Sequence, residues 1–240
     1  MKTRNVRGPT DLAPKICGGI ITILVGKAEK RKEFYVHEDL LRSCSPYFDA
    51  ALGKDWKEAG TRTISLYCDD PEAFQIYTQW LYSGKVWSAS RTHDARPLSE
   101  LLRMADERNL LAKAYCLGDK FLDHLFKDCI IDAILECFKV KDENKKVYLF
   151  GKRQVDFIWA NTTCNAPIRR LILEQYAYRG RVSWDYDIHC KEFLVDLLRE
   201  MYQTRIHPGR KALDSDGNTC KYHHHAKDQP CNKRIEEQAD

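Results

Sequence analysis

Residues 21–48 read ITILVGKAEKRKEFYVHEDLLRSCSPYF, and this stretch decides the fold. With Ile20 just before it, its opening is β-branched and apolar from Ile20 to Val25 and stops at Gly26, the pattern of a buried strand. A polar turn rich in Lys and Glu follows. Glu33 to His37 then alternates Phe34 and Val36 onto one face and reads as the second arm of a hairpin. A short helix is expected over Glu38 to Arg42. A second opens at Ser45-Pro46: a serine oxygen can accept from the first helical N–H groups, and proline lacks only a donor that would be unpaired there anyway.

Working outward, Thr63 to Cys68 alternates Ile64 and Leu66 and predicts a third strand. Asp70-Pro71-Glu72 repeats the cap logic with acids in the first turn, so a helix follows with Phe74, Tyr77, Leu81 and Tyr82 on one face. Ser83-Gly84 closes it, and Lys85 to Trp87 is expected as a short strand. From Pro97 onward the pattern is helical. Leu98, Leu101, Leu102 and Ala105 mark one helix, Ala112 to Leu122 a second, and His124 to Val140 a third with Phe126, Ile130, Ile131, Ile134, Leu135 and Phe138 at helical spacing. After a polar break at 141–146, two more helices carry Ile168, Leu171 and Ile172 behind Pro167, and Phe193, Leu194, Leu197, Leu198 and Met201. Beyond Gln203 the periodicity is lost. On the N-terminal side, residues 1–18 hold breakers at Pro9, Pro14 and Gly18-Gly19.

The order strand, strand, two short helices, strand, helix, short strand, helices resembles the BTB/POZ fold, and so do the words. His37 before Leu40-Leu41, Ser-Pro-Tyr-Phe at 45–48, DDPEAFQIYTQWLYSGKV at 69–86 and LLRMADERNLL with CLGDKFLD all resemble that family. The resemblance covers residues 19–138; residues 139–231 are similar in style to fungal single-BTB-domain proteins. Many BTB domains carry an aspartate before the first strand, where this chain has Gly18-Gly19-Ile20-Ile21. The resemblance implies an α/β (α+β) fold, a small mixed sheet flanked by helices with an additional helical C-terminal region. The expected layout is a flexible segment at 1–18, the BTB/POZ domain at 19–138, a helical extension at 139–203 and a polar tail at 204–240.

The bulk properties agree. The chain has 240 residues, 43% of them hydrophobic and 31% charged, which is the balance of a globular protein. A net charge of +4 is too small to argue for nucleic acid without clustering. No apolar run approaches the roughly 20 residues that span a bilayer, and the basic N-terminus lacks a secretory core. The ten cysteines include Cys129 and Cys137 inside apolar patterns, so buried thiols in the cytoplasm or nucleus are expected rather than disulfides.

Two clusters stand out as sites. Aligned to the family from Ser45-Pro46, Trp56-Lys57-Glu58 falls where cullin-binding BTB proteins carry a hydrophobic-x-glutamate site. The resemblance thus implies an apolar anchor at Trp56 and an acid at Glu58 for a basic rim; the plainer reading packs Trp56 on its own domain and leaves Glu58 solvated. In the tail, Cys220, His223, His225 and Cys231 have thiolate and imidazole chemistry suited to tetrahedral zinc, against a plainer reading of incidental residues. His37 is expected to pack rather than catalyse, Val25-Gly26-Lys27 lacks the glycine and Ser/Thr of a phosphate loop, and 151–153 and 168–171 read as solvated basic helix surface. No catalytic constellation appears. The expected function is a protein-interaction adaptor, dimeric or partner-bound, that joins substrates to a cullin-based ubiquitin ligase. The alternative is a structural or transcription-associated oligomeriser. No small-molecule substrate, nucleic acid or membrane is expected as a partner.

Overall fold

The computed structural model describes residues 16–53, 60–89, 97–140, 147–179, 190–206 and 219–224. Strand β1 (Ile20–Val25) lies at the centre of a three-stranded sheet ordered β2-β1-β3. It pairs antiparallel with β2 (Lys32–His37), Ile23 opposite Phe34, and parallel with β3 (Thr63–Leu66), Val25 beside Leu66. Side chains alternate across a strand, so Ile21, Ile23 and Val25 all enter the core while Ile20 stays exposed. The sheet expected from the sequence is therefore present and mixed.

Gly26 turns the chain out of β1 at φ +91, a conformation that side chains resist, and a Cβ there would sit 2.9 Å from the Pro71 ring. Helices α1 (Glu38–Cys44) and α2 (Pro46–Ala51) follow β2. Ser45 caps α2 as expected, its Oγ accepting from Phe48 N–H at 3.3 Å and donating to the Phe121 carbonyl at 2.7 Å. Asp70 caps α3 (Pro71–Ser83) through the amides of Glu72 and Ala73 at 2.9 and 3.1 Å. Gly84 ends it in the left-handed region, its N–H donating to the Trp80 carbonyl at 2.8 Å.

Three expectations need correction. Residues 97–120 form one helix, α4 (Pro97–Lys120), not two. The polar run Asp106 to Asn109 contains no Gly or Pro, and Glu107 and Arg108 within it are good helix formers despite their polarity. The expected strand at Lys85 to Trp87 takes no strand pairing; Trp87 is exposed and its indole N–H donates to Ser83 Oγ at 3.1 Å. A third helix sits in the extension where none was expected, α6 (Lys152–Asn161). It shows the core only one turn, Val155, Ile158 and Trp159, too few residues for the periodicity to register.

Helix α5 (His124–Cys137) is capped by Asp123 and packs on α4. The extension adds α6, α7 (Pro167–Arg179) and α8 (Lys191–Ile206), with α6 against α4 and α8 against α7. One hydrophobic core runs from Ile21 through Phe121 and Ile131 to Leu171 and Phe193. A 3₁₀ turn at Thr219–Tyr222 lies on α5 and α7, so part of the polar region expected beyond residue 203 is seated on the body.

Candidate partner-binding site

The segment carrying Trp56 and Glu58 lies outside the described residues, but its anchors do not. It leaves α2 at Leu52-Gly53 and rejoins the chain at Gly60, just before β3. Arg62 at that return has φ +51 and ties three elements together: its Nη2 meets Glu38 Oε2 at 3.0 Å and its Nε donates to the Ile20 carbonyl at 3.3 Å. Arg42 joins Glu38 at 3.2 Å and Asp49 at 2.8 Å on the same helices. Those carboxylates, Asp49 first, raise the Arg42 guanidinium above its ordinary value. Such exposed pairs stabilise little, and what they supply is a polar, charged rim.

Beneath lies an aromatic cluster. The Phe121 ring stands 4.6 Å from Phe48, 5.1 Å from Tyr77 and 5.4 Å from Tyr47, centroid to centroid. Tyr77 Oη donates to Asp123 Oδ2 at 3.1 Å inside it, and Phe126 N–H donates to Asp123 Oδ1 at 2.9 Å. Burial pushes the Asp123 carboxyl up to about 6, against the pull of those donors and Lys127. This cluster positions α2, and with it one end of the Trp56 segment.

The residues screened for chemistry do other work. His37 holds Tyr82, with Nδ1 2.7 Å from Tyr82 Oη, tying β2 to α3 as a packing residue. Burial pushes the thiols of Cys44, Cys116 and Cys137 upward, Cys116 to about 12 and Cys137 to about 11. None of the three is an activated thiolate. No two described cysteines form a disulfide. Arg169, expected on a solvated surface, is instead buried. Its guanidinium donates to the carbonyls of Trp159 and Thr162, and its Nε to Thr162 Oγ1 at 3.0 Å. Lys152 pairs with Asp156 on an exposed turn, as a solvated basic residue should.

Of the four proposed zinc ligands, Cys220 and His223 are described, while His225 and Cys231 lie outside the described residues. His223 is buried with Nε2 3.1 Å from Asp132 Oδ1. Among the described residues no group of three or more His, Cys, Asp or Glu is placed to hold a metal.

The BTB/POZ domain family matches residues 21–115. Residues 21–115 are a BTB/POZ domain. Human Kelch-like protein 17 is 26% identical over 167 residues, covering 64% of this chain and 25% of that protein, and the mouse protein gives the same values. Human Kelch-like protein 28 is 21% identical over 212 residues, 79% of this chain and 36% of its own length. The chain thus spans about a quarter of the length of the first of these relatives. The family match ends inside α4, and the hydrophobic core to which the matched residues belong also contains Phe121 and Phe126. Trp56 and Glu58 fall within the matched stretch.

Sequence reasoning missed Asp123 and Glu174, both buried carboxylates. Asp123 precedes an apolar helical run, a cap signal that was open to reading. Nothing local marks Glu174, because its partners come from residues 221 and 222. Among the described residues no helix is long and apolar enough to cross a membrane.

Proposed function

We propose that this chain is a protein-interaction adaptor whose BTB/POZ domain pairs with a second copy and docks on a cullin-type scaffold, while the helical extension holds the protein to be delivered. The observation that carries it is the BTB/POZ match over 21–115, together with likeness to Kelch-like proteins that extends beyond it. Trp56 and Glu58 supply the docking pair in this reading, an indole that gains most when desolvated and a carboxylate for a basic rim. The arrangement favours binding over catalysis, since the His and Cys side chains described above are engaged in packing or held as thiols. It works inside the cell, in cytoplasm or nucleus. Purification of the tagged full chain from its native cell tests this. Recovery of a cullin in stoichiometric amount, together with a dimer by light scattering, is the expected result. A chain that oligomerises without any cullin would favour the structural role instead.

A further inference from the structure

The 3₁₀ turn at Thr219–Tyr222 and the two residues after it sit in a groove between α5 and α7, held chiefly by side chains. Tyr222 is fully buried there, and its Oη donates to Glu174 Oε2 at 2.6 Å. The same carboxylate oxygen takes Lys221 Nζ at 2.7 Å, and only 2% of the Glu174 side chain is exposed. Above the ring lies Arg170, its guanidinium carbon 5.4 Å from the centroid, while Lys221 Nζ stands 5.0 Å away. On α5, Asp132 meets His223 at 3.1 Å, and Asp128 accepts from His224 N–H at 2.9 Å with its Nδ1 at 3.3 Å. The His124 ring flanks His224 at 5.0 Å.

We propose that this groove is a recognition site for linear basic-aromatic protein segments of the Lys-Tyr-His type, and that the chain's own Lys221-Tyr222-His223-His224 occupies it as an internal ligand. An aromatic anchor in a desolvated pocket, ringed by charge, is the composition of a binding hot spot rather than of a chain merely passing by. Three carboxylates, Asp128, Asp132 and Glu174, face a segment of Lys and His, so the groove's charge states the chemistry of what it takes. Burying Glu174 is costly unless it is paired, and two of its partners arrive with the segment. The segment's own described backbone bond is one turn, His223 N–H to the Cys220 carbonyl at 3.0 Å. A tethered segment competes as though at about millimolar concentration, so a partner's segment enters when the chain's own is displaced. The groove would then give the extension a gated site for the protein it delivers. This rests on the adaptor reading only for its class of ligand: the groove test changes Tyr222 and Glu174 and the docking test changes Trp56 and Glu58, so the two ideas fail separately.

The test uses the full chain and a fluorescent peptide of residues 217–226, read by anisotropy. Tyr222→Ala vacates the groove. The peptide should bind that variant at least ten-fold more tightly than the wild-type chain, and adding Glu174→Gln should remove at least ten-fold of that binding. Hydrogen exchange on the wild-type chain guards against a variant that fails to fold: amides of 219–224 should open well before those of α5 and α7, and excess peptide should leave both helices protected. The proposal is overturned by equal binding to both chains or by binding to neither. It is also overturned if 219–224 exchanges only on global unfolding, or if a second copy's segment fills the groove in a dimer that Tyr222→Ala dissociates.

Discussion

In and beside the BTB/POZ domain two of the buried polar groups, Ser45 Oγ and the Asp123 carboxylate, sit at helix N-termini, where each satisfies an amide three residues on, while others such as Arg108 and Lys127 lie within helix spans. In the extension the corresponding buried groups, Arg169 and Glu174, sit within the span of α7 and reach other segments: Arg169 to Trp159 and Thr162, Glu174 to Lys221 and Tyr222. A capping residue stabilises mainly its own helix and can be read from its immediate neighbours. A charge in the body of a helix stabilises an assembly of helices and has meaning only once they are assembled. The first region should therefore resist local opening, and the second should open in parts.

The largest expected effect is on the aromatic cluster. Phe121→Ala removes a ring that touches Tyr47, Phe48, Phe74 and Tyr77, and should cost about 3–5 kcal/mol of stability by chemical denaturation. If the loss is below about 1 kcal/mol, the cluster is not what holds α2 against the core.

Asp123 sharpens the same contrast through pH. Its ordinary value is 3.8 and burial raises it to about 6, so between these pH values the native state holds the extra proton. Stability from this group is then greatest at low pH and falls as pH rises through the window, by about 3 kcal/mol in total. The margin of wild type over Asp123→Asn should shrink from pH 4 to pH 7. A margin that grows would show that the ionised carboxylate is the stabilised form.

Arg169→Ala should cost about 2 kcal/mol, since it leaves the Trp159 and Thr162 carbonyls without a charged donor. Hydrogen exchange should accelerate in α6 and α7 while β1 and β2 stay protected. Equal acceleration in the sheet would erase the distinction between the two regions.

The smallest effect concerns zinc. If Cys220, His223, His225 and Cys231 bind it, native mass spectrometry should find one ion per chain, and a chelator should leave the melting of the body nearly unchanged. Metal-free protein at neutral pH would remove that proposal.

The same contrast explains what the sequence disclosed. The hairpin, Ser45-Pro46 and Asp70-Pro71 were legible because strand alternation and capping are local, and each reappears in its expected place. The spurious break in α4 came from reading a polar run as a boundary when nothing in it stops a helix. Helix α6 escaped because it shows the core a single apolar turn, and Arg169 because a buried cation looks like a surface one until its carbonyl partners are in place. The seating of Tyr222 depends on Glu174 and Arg170, about 50 residues upstream, a pairing no local pattern contains.

The most direct measurement is calorimetric titration of the full chain with a purified cullin N-terminal region, repeated for Trp56→Ala and Glu58→Lys with melting curves alongside. One-to-one binding per BTB/POZ domain is expected. Trp56→Ala should weaken it by about 2 kcal/mol or more, a hot-spot loss, while the melting temperature stays nearly constant, and Glu58→Lys should also weaken it. Variants that bind as well as wild type would contradict it, as would a Trp56→Ala chain that unfolds while Glu58→Lys binds normally.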